Sequence, residues 1–155
     1  MNTKTIWYTI ALLCFLSTWS YAQDGHLQQN RSYTGAMASK KTYRAIYQLD
    51  SNDPKIITKA IRNIRNALND PRLKGKLQIQ LIAFSGGTEA YLKGSPYEGA
   101  LKELIELGVI VSQCLNSLKE RNLSKNQLYD FIGYVPSGNG ELIIRAAEGW
   151  TIIKP

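Results

Sequence analysis

Apolar residues along the chain alternate between two rhythms. Short, continuous apolar runs rich in β-branched residues predict buried strands. Four such runs are Tyr43–Leu49, Leu77–Phe84, the stretch after Gly108 that ends at Cys114, and Phe131–Val135. A last short one, Trp150–Ile153, closes the series, and its Trp150 is expected to pack against the core. Between them the spacing turns helical. Ile57, Ala60, Ile61, Ile64, Ala67 and Leu68 recur at one-face spacing, which predicts a helix from Pro54 to about Asn69. Asp53 is placed to cap it, and Pro54 suits its first turn. Lys55, Lys59, Arg62 and Arg65 line its other side.

Further helices are predicted over Tyr97–Leu107, Leu115–Arg121 and Glu141–Glu148, with short turns over Thr88–Leu92 and Ser124–Asp130. Leu101, Leu104 and Ile105 face inward on the first of these, and Leu142, Ile143 and Ala146 on the last. Pro136 to Gly140 reads as a loop. Gly108 and Gly149 stand where helices should end. Strands alternating with helices imply parallel βαβ units. The expected fold is a three-layer α/β/α domain with an open, mainly parallel, five-stranded sheet.

The first 22 residues read differently. Lys4, the apolar run Ile6–Trp19 and Ser20-Tyr21-Ala22 have the order of a cleavable signal peptide. The run is shorter than the roughly 20 residues that a membrane span needs. The alternative is an uncleaved N-terminal anchor. The expected divisions are a signal peptide over 1–22, a flexible polar segment over 23–41 and one domain over 42–155. Cleavage leaves a mature chain of 133 residues, exported to the periplasm or secreted, with no stable membrane insertion afterwards. The net charge of +7 falls to +6 with the loss of Lys4.

Cleavage also changes the cysteine count. Cys14 leaves with the leader, and Cys114 becomes the single cysteine of an exported protein. Such a cysteine is buried and inert, paired between chains, or a working thiol. His26, the only histidine, lies in the polar segment. One distant His and one Cys give no metal signature, and a Cys-His or Ser-His-Asp set at the sheet edge is excluded. There is no Cys-x-x-Cys redox pair. No cofactor is called for. Nucleic acid is not an expected partner, because no aromatic and basic platform is present.

From Tyr43 onward the chain resembles the DsrE/DsrF-like proteins, in particular their exported single-domain branch. The residues that carry the resemblance are Tyr47-Gln48-Leu49-Asp50 with Pro54, and Arg62-Asn63-Ile64-Arg65-Asn66-Ala67-Leu68. Others are Gly108-Val109, Cys114-Leu115-Asn116-Ser117-Leu118, Pro136-Ser137-Gly138, and Glu148-Gly149-Trp150 with Lys154-Pro155. The resemblance implies an open α/β/α fold assembled into homotrimers or hexamers. In sulfur relays of the wider family, a Cys at a strand end, followed by a Leu-x-x-Arg helix, takes up sulfane sulfur as a persulfide. Cys114 with Leu118 and Arg121 falls on that pattern. The departure is the leader, since relay members are cytoplasmic.

The resemblance thus implies a sulfur carrier, exchanging sulfur with a donor or acceptor protein, rather than a turnover enzyme. Cys114 would be the nucleophile. The N–H groups of Leu115, Asn116 and Ser117 would settle the negative sulfur. Lys119 or Arg121, which a helix aims at different faces, would add positive charge, and Ser85, Gly86 and Gly87 would line the other wall. Two alternatives stand beside it. Cys114 can be a small buried hydrophobe, and the protein can be an oligomeric binding module for a small anion or an acidic partner. The leader makes its own test: N-terminal sequencing of protein exported from a native-like host is expected to begin at Gln23. Recovery of Met1 on the exported chain would overturn the reading.

Overall fold

The computed structural model describes residues 24–155. The predicted signal peptide, with Cys14, lies outside the described residues. Residues 24–31 are helical (α1), although they show no apolar period. Ala38–Pro155 form a separate compact unit that holds the α/β fold.

The first strand, β1, spans Tyr43–Leu49, and the helix α2 spans Pro54–Asn69, both as the sequence predicts. Asp53 caps α2 by accepting the Lys55 N–H at 2.8 Å. Ile57, Ala60, Ile61 and Ile64 bury the predicted stripe. Strand β2 follows over Leu77–Ala83, and then a 3₁₀ helix over Ser85–Tyr91. Helix α3 covers Glu98–Glu106 and closes on Gly108, whose φ of 87° needs glycine. Strand β3 spans Ile110–Cys114 and α4 spans Leu115–Glu120. A 3₁₀ turn over Lys125–Gln127 leads to β4, Gly133–Val135. Helix α5 runs from Gly138 to Ala147, and β5 from Thr151 to Ile153.

All four strand pairings are parallel, and the sheet order is β4-β3-β2-β1-β5. The chain steps from β1 to β4 in one direction and then returns to the far side of β1. Right-handed crossovers must therefore put α2 and α3 on one face and α5 on the other. The packing agrees. Leu49, Leu81, Val111, Leu101 and Leu104 share one core cluster with Ile57 and Ile64. Ile46 and Ile82 form a second, smaller cluster with Leu142 and Trp150.

Two predictions about α5 are corrected. It starts at Gly138, inside the expected loop, because Ser137 acts as its N-cap and accepts the Gly140 N–H at 3.2 Å. Ile143 and Ala146, expected to face inward, are exposed, and only Leu142 of that set is buried. The inward positions are Leu142 and Arg145, one turn apart. Trp150 is buried as expected, at 8% exposure.

Two glycines test this packing with opposite signs. A Cβ on Gly87 would sit 2.0 Å from the Leu49 carbonyl oxygen, whereas one on Gly99 would meet nothing within 4 Å. Gly87→Ala is therefore expected to destabilise by at least about 1–3 kcal/mol. Gly99→Ala, in helix α3, should stabilise by about 0.5–1 kcal/mol. Urea unfolding followed by circular dichroism measures both, and equal effects would contradict the packing described.

Candidate functional site

Parallel strands bring their carboxyl ends to one edge, which is where open α/β sheets bind ligands. Here that edge carries Asp50 after β1, Phe84 and Ser85 after β2, Cys114 at the end of β3, and Pro136 to Gly138 after β4. Cys114 is the N-cap residue of α4, at the strand-to-helix junction that the sequence predicts. It is buried, at 4% exposure, and it is the one free cysteine among the described residues. Its side chain lies on the α5 side of the sheet. The alternation that sends Val111 into the α2 and α3 core sends Ser112 and Cys114 the other way.

Burial raises the pKa of a thiol, because desolvation disfavours the anion. At Cys114 that is the largest single influence, yet the balance falls below the ordinary thiol value. The opposing contributions come from the Ser117 N–H and hydroxyl, then the Gly138 and Asn116 N–H groups. None of them makes a full side-chain capping hydrogen bond to Cys114. Asn116 and Ser117 lie in the first turn of α4, where N–H groups have no helical partner. Gly138 opens α5. Two helix starts thus converge on one sulfur, and every donor is uncharged. A thiol whose pKa falls on folding stabilises the native state as the anion. That contribution is present above the unfolded thiol's pKa and is lost as pH falls through the lowered native one.

Ser117 links the two walls. Its hydroxyl accepts the Ser85 N–H at 2.9 Å while standing beside the Cys114 sulfur. Ser85 has a φ of 49°, unusual for a residue with a side chain. Arg121 holds that turn: one guanidinium nitrogen donates to the Ser85 carbonyl at 3.0 Å, and the other pairs with Glu89. The charge of Arg121 is thus spent on the Ser85 turn rather than aimed at sulfur. Gly86 and Gly87 press on the backbone at the end of β1; a Cβ on Gly86 would lie 2.8 Å from the Asn52 nitrogen. Leu115 turns its side chain to the larger core.

Of the residues the sequence proposes, the structure brings together Cys114, Asn116, Ser117 and Ser85, with Arg121 one bond further out. It did not reveal Gly138. Its backbone is buried against Phe84, where a Cβ would lie 2.9 Å from a ring carbon. The Pro136-Ser137-Gly138 segment reads in the sequence as a loop and as part of the family resemblance, with no site role attached. Gln113 was missed too: it is fully buried beneath the site and donates to Thr88 Oγ1 at 3.0 Å and to the Cys114 carbonyl at 2.9 Å.

Among the described residues, no group of three His, Cys, Asp or Glu side chains is placed to hold a metal. Nor is any helix among them long and apolar enough to cross a membrane. A cavity of about 480 Å³, lined by Tyr43, Ala67, Leu73, Leu77 and Ile153, opens around the starts of β1 and β2, at the other end of those strands from this edge.

No curated protein matches the sequence. Among solved structures, the chain is similar to MTH1491, a protein of unknown function from Methanobacterium thermoautotrophicum. The identity is 30% and the TM-score 0.69, covering 73% of this chain and 99% of that one. It shares its fold with BT1422 of Bacteroides thetaiotaomicron, at 13% identity and a TM-score of 0.57, over 78% of this chain and 100% of that one. The ychN protein of E. coli is alike in fold at 15% identity and a TM-score of 0.57, over 75% and 100% of the two chains. The family model for DsrE/DsrF-like proteins matches residues 53–155, from the cap of α2 to the last residue, and so takes in Cys114 and the ends of β2, β3 and β4 beside it, with β1 outside the match. The chain belongs to the DsrE/DsrF-like family.

Proposed function

We propose that the protein is an exported sulfur carrier that holds sulfane sulfur as a persulfide on Cys114. The observation that carries this reading is the convergence of the Ser117, Gly138 and Asn116 donors on the Cys114 sulfur, which lowers its pKa despite burial. The family's link to sulfur relay supports it. In the proposed step the Cys114 thiolate attacks the outer sulfur of a donor persulfide, R–S–SH. The donor S–S bond breaks, a new S–S bond forms at Cys114, and R–S⁻ departs. The proton stays on the transferred sulfur, and nothing is oxidised or reduced overall. Loss of that proton to water then gives the persulfide anion, which the uncharged donors serve as they serve the thiolate.

A thiolate and a buried hydrophobe predict opposite pH behaviour. Iodoacetamide alkylation of the native protein is expected to show an inflection below the free thiol value of about 8.5. Ser117→Ala should move it upward, because two of the donors that favour the anion sit on that residue or shift with it. Mass spectrometry after incubation with a sulfane donor should find added sulfur on Cys114 and none on Cys114→Ser. A native thiol that resists alkylation until the chain unfolds would make Cys114 core packing and end the carrier reading.

The protein is further proposed to act as a homo-oligomer, a trimer or a hexamer. Support comes from the exposed side chains of Ile143, Ile144 and Ile152, at 69%, 56% and 44% exposure, on α5 and the edge strand β5. Light scattering at micromolar concentration should give an oligomer for the wild type. Ile143→Asp combined with Ile144→Asp should give a folded monomer. A wild-type monomer would refute the assembly.

A further inference from the structure

The layer that α5 forms is thinly attached. Leu142 is its one buried side chain, and Ile143 and Ile144 turn outward. Phe84 and Val135 pack against the same small cluster, and Arg145 adds a polar contact to the sheet. Its Nε donates to Gln80 Oε1 at 2.8 Å and to Glu141 at 3.0 Å, and its Nη1 donates to Glu148 at 3.2 Å. The guanidinium carbon lies 4.4 Å from the centre of the Trp150 ring. Gln80, only 1% exposed, passes the contact on, because its Nε2 donates to Ser112 Oγ at 3.0 Å.

Ser112 is two residues before Cys114 and shares its face of β3. Both ends of α5 therefore address the same strand. The helix start stands by Cys114, whose thiol the Gly138 N–H helps to hold below its ordinary pKa, and Arg145 reaches Ser112 through Gln80. The connection between β4 and α5 is short: Val135 pairs with Cys114 in the sheet, and Gly138 follows three residues later. The height of α5 above the sheet thus sets where the Gly138 N–H stands.

We infer that Arg145 is a positioning residue for Cys114, fixing α5 on Gln80 and Trp150 so that the Gly138 N–H stays at the sulfur. Arg145 touches neither the sulfur nor anything bound to it. The charged groups that face it are Glu141 and Glu148 on its own helix; from the sheet side it meets Gln80 and Trp150, which carry no charge. The planar fork spans these partners and stacks on the ring together, which a lysine ammonium cannot do. The role rests on Cys114 being a working thiol, but it does not depend on which sulfur compound the thiol meets.

The test follows alkylation rate against pH in the full chain, for the wild type, Arg145→Met, Arg145→Lys, Gln80→Leu and Arg65→Met. Arg65 pairs with Glu103 on the opposite layer and serves as the control for general loss of stability. Arg145→Met and Gln80→Leu are expected to raise the inflection by about 0.5–1 pH unit, with Arg145→Lys shifted nearly as far. Arg65→Met should leave it in place. A folded Arg145→Met with the wild-type inflection overturns the inference, as does an equal shift in Arg65→Met. If Arg145→Met does not fold, Gln80→Leu decides by the same criterion. Sulfur uptake measured alongside separates the two claims. A wild type with a low inflection and no uptake loses the carrier role but keeps the Arg145 role if the shifts appear. A wild-type thiol with no low inflection overturns both.

Discussion

Seven consecutive residue pairs, from Tyr43 with Leu77 to Leu49 with Ala83, join β1 to β2 in parallel. Parallel strands need helical crossovers, and those crossovers bury both faces of the pair. Ile46, Leu49, Leu81 and Ile82 accordingly lose all contact with water. Once this pair is fixed, the right-handed rule leaves little freedom. The chain must stack β3 and β4 on one side under a single helical layer. It can place β5 on the other side of β1 only by carrying α5 across the opposite face. The Cys114 edge is a product of that route. The β2 and β3 ends lie side by side because their strands pair, and α5 arrives over them because it must cross the sheet to reach β5.

The elements that sequence made legible are those whose cues agree. In α2, a capping Asp53, a Pro54 in the first turn and an unbroken apolar stripe all point to one helix, and its limits match the reading. The end of β3 at Cys114 was legible for a similar reason: an apolar run meets a polar, helix-spaced segment. The start of α5 was not, because Gly138, Asn139 and Gly140 are poor helix formers. There a serine cap and the tertiary path outweigh propensity. The inward face of α5 was also ambiguous, since Leu142, Ile143 and Ile144 are consecutive. Periodicity cannot choose among three adjacent apolar residues. The choice is made by Gln80 and Trp150, which present a hydrogen-bond acceptor and a ring to Arg145 at the position one turn on.

The site divides along the same line. Its α4 half is local in sequence and was legible, with Asn116 and Ser117 following Cys114 directly. Its α5 half arrives from more than 20 residues away and needs the whole crossover to be known. Arg121, expected to help, is engaged with Ser85 and Glu89, and Arg145 is held by Gln80, Glu141 and Glu148. Oriented neutral dipoles are left to favour the anion. Such dipoles are fixed by the backbone and are less sensitive to salt than surface charges are.

Gly138 carries a consequence for how this protein can change over time. The absent side chain is what lets the backbone lie on the Phe84 ring, 2.9 Å from where a Cβ would be. Any larger residue at 138 must push α5 outward unless position 84 shrinks with it. The two positions lie 54 residues apart in the chain and on different strand ends, yet they share one small volume. Drift at either is therefore constrained by the other, and among homologues a bulkier residue at 138 is to be sought with a smaller one at 84.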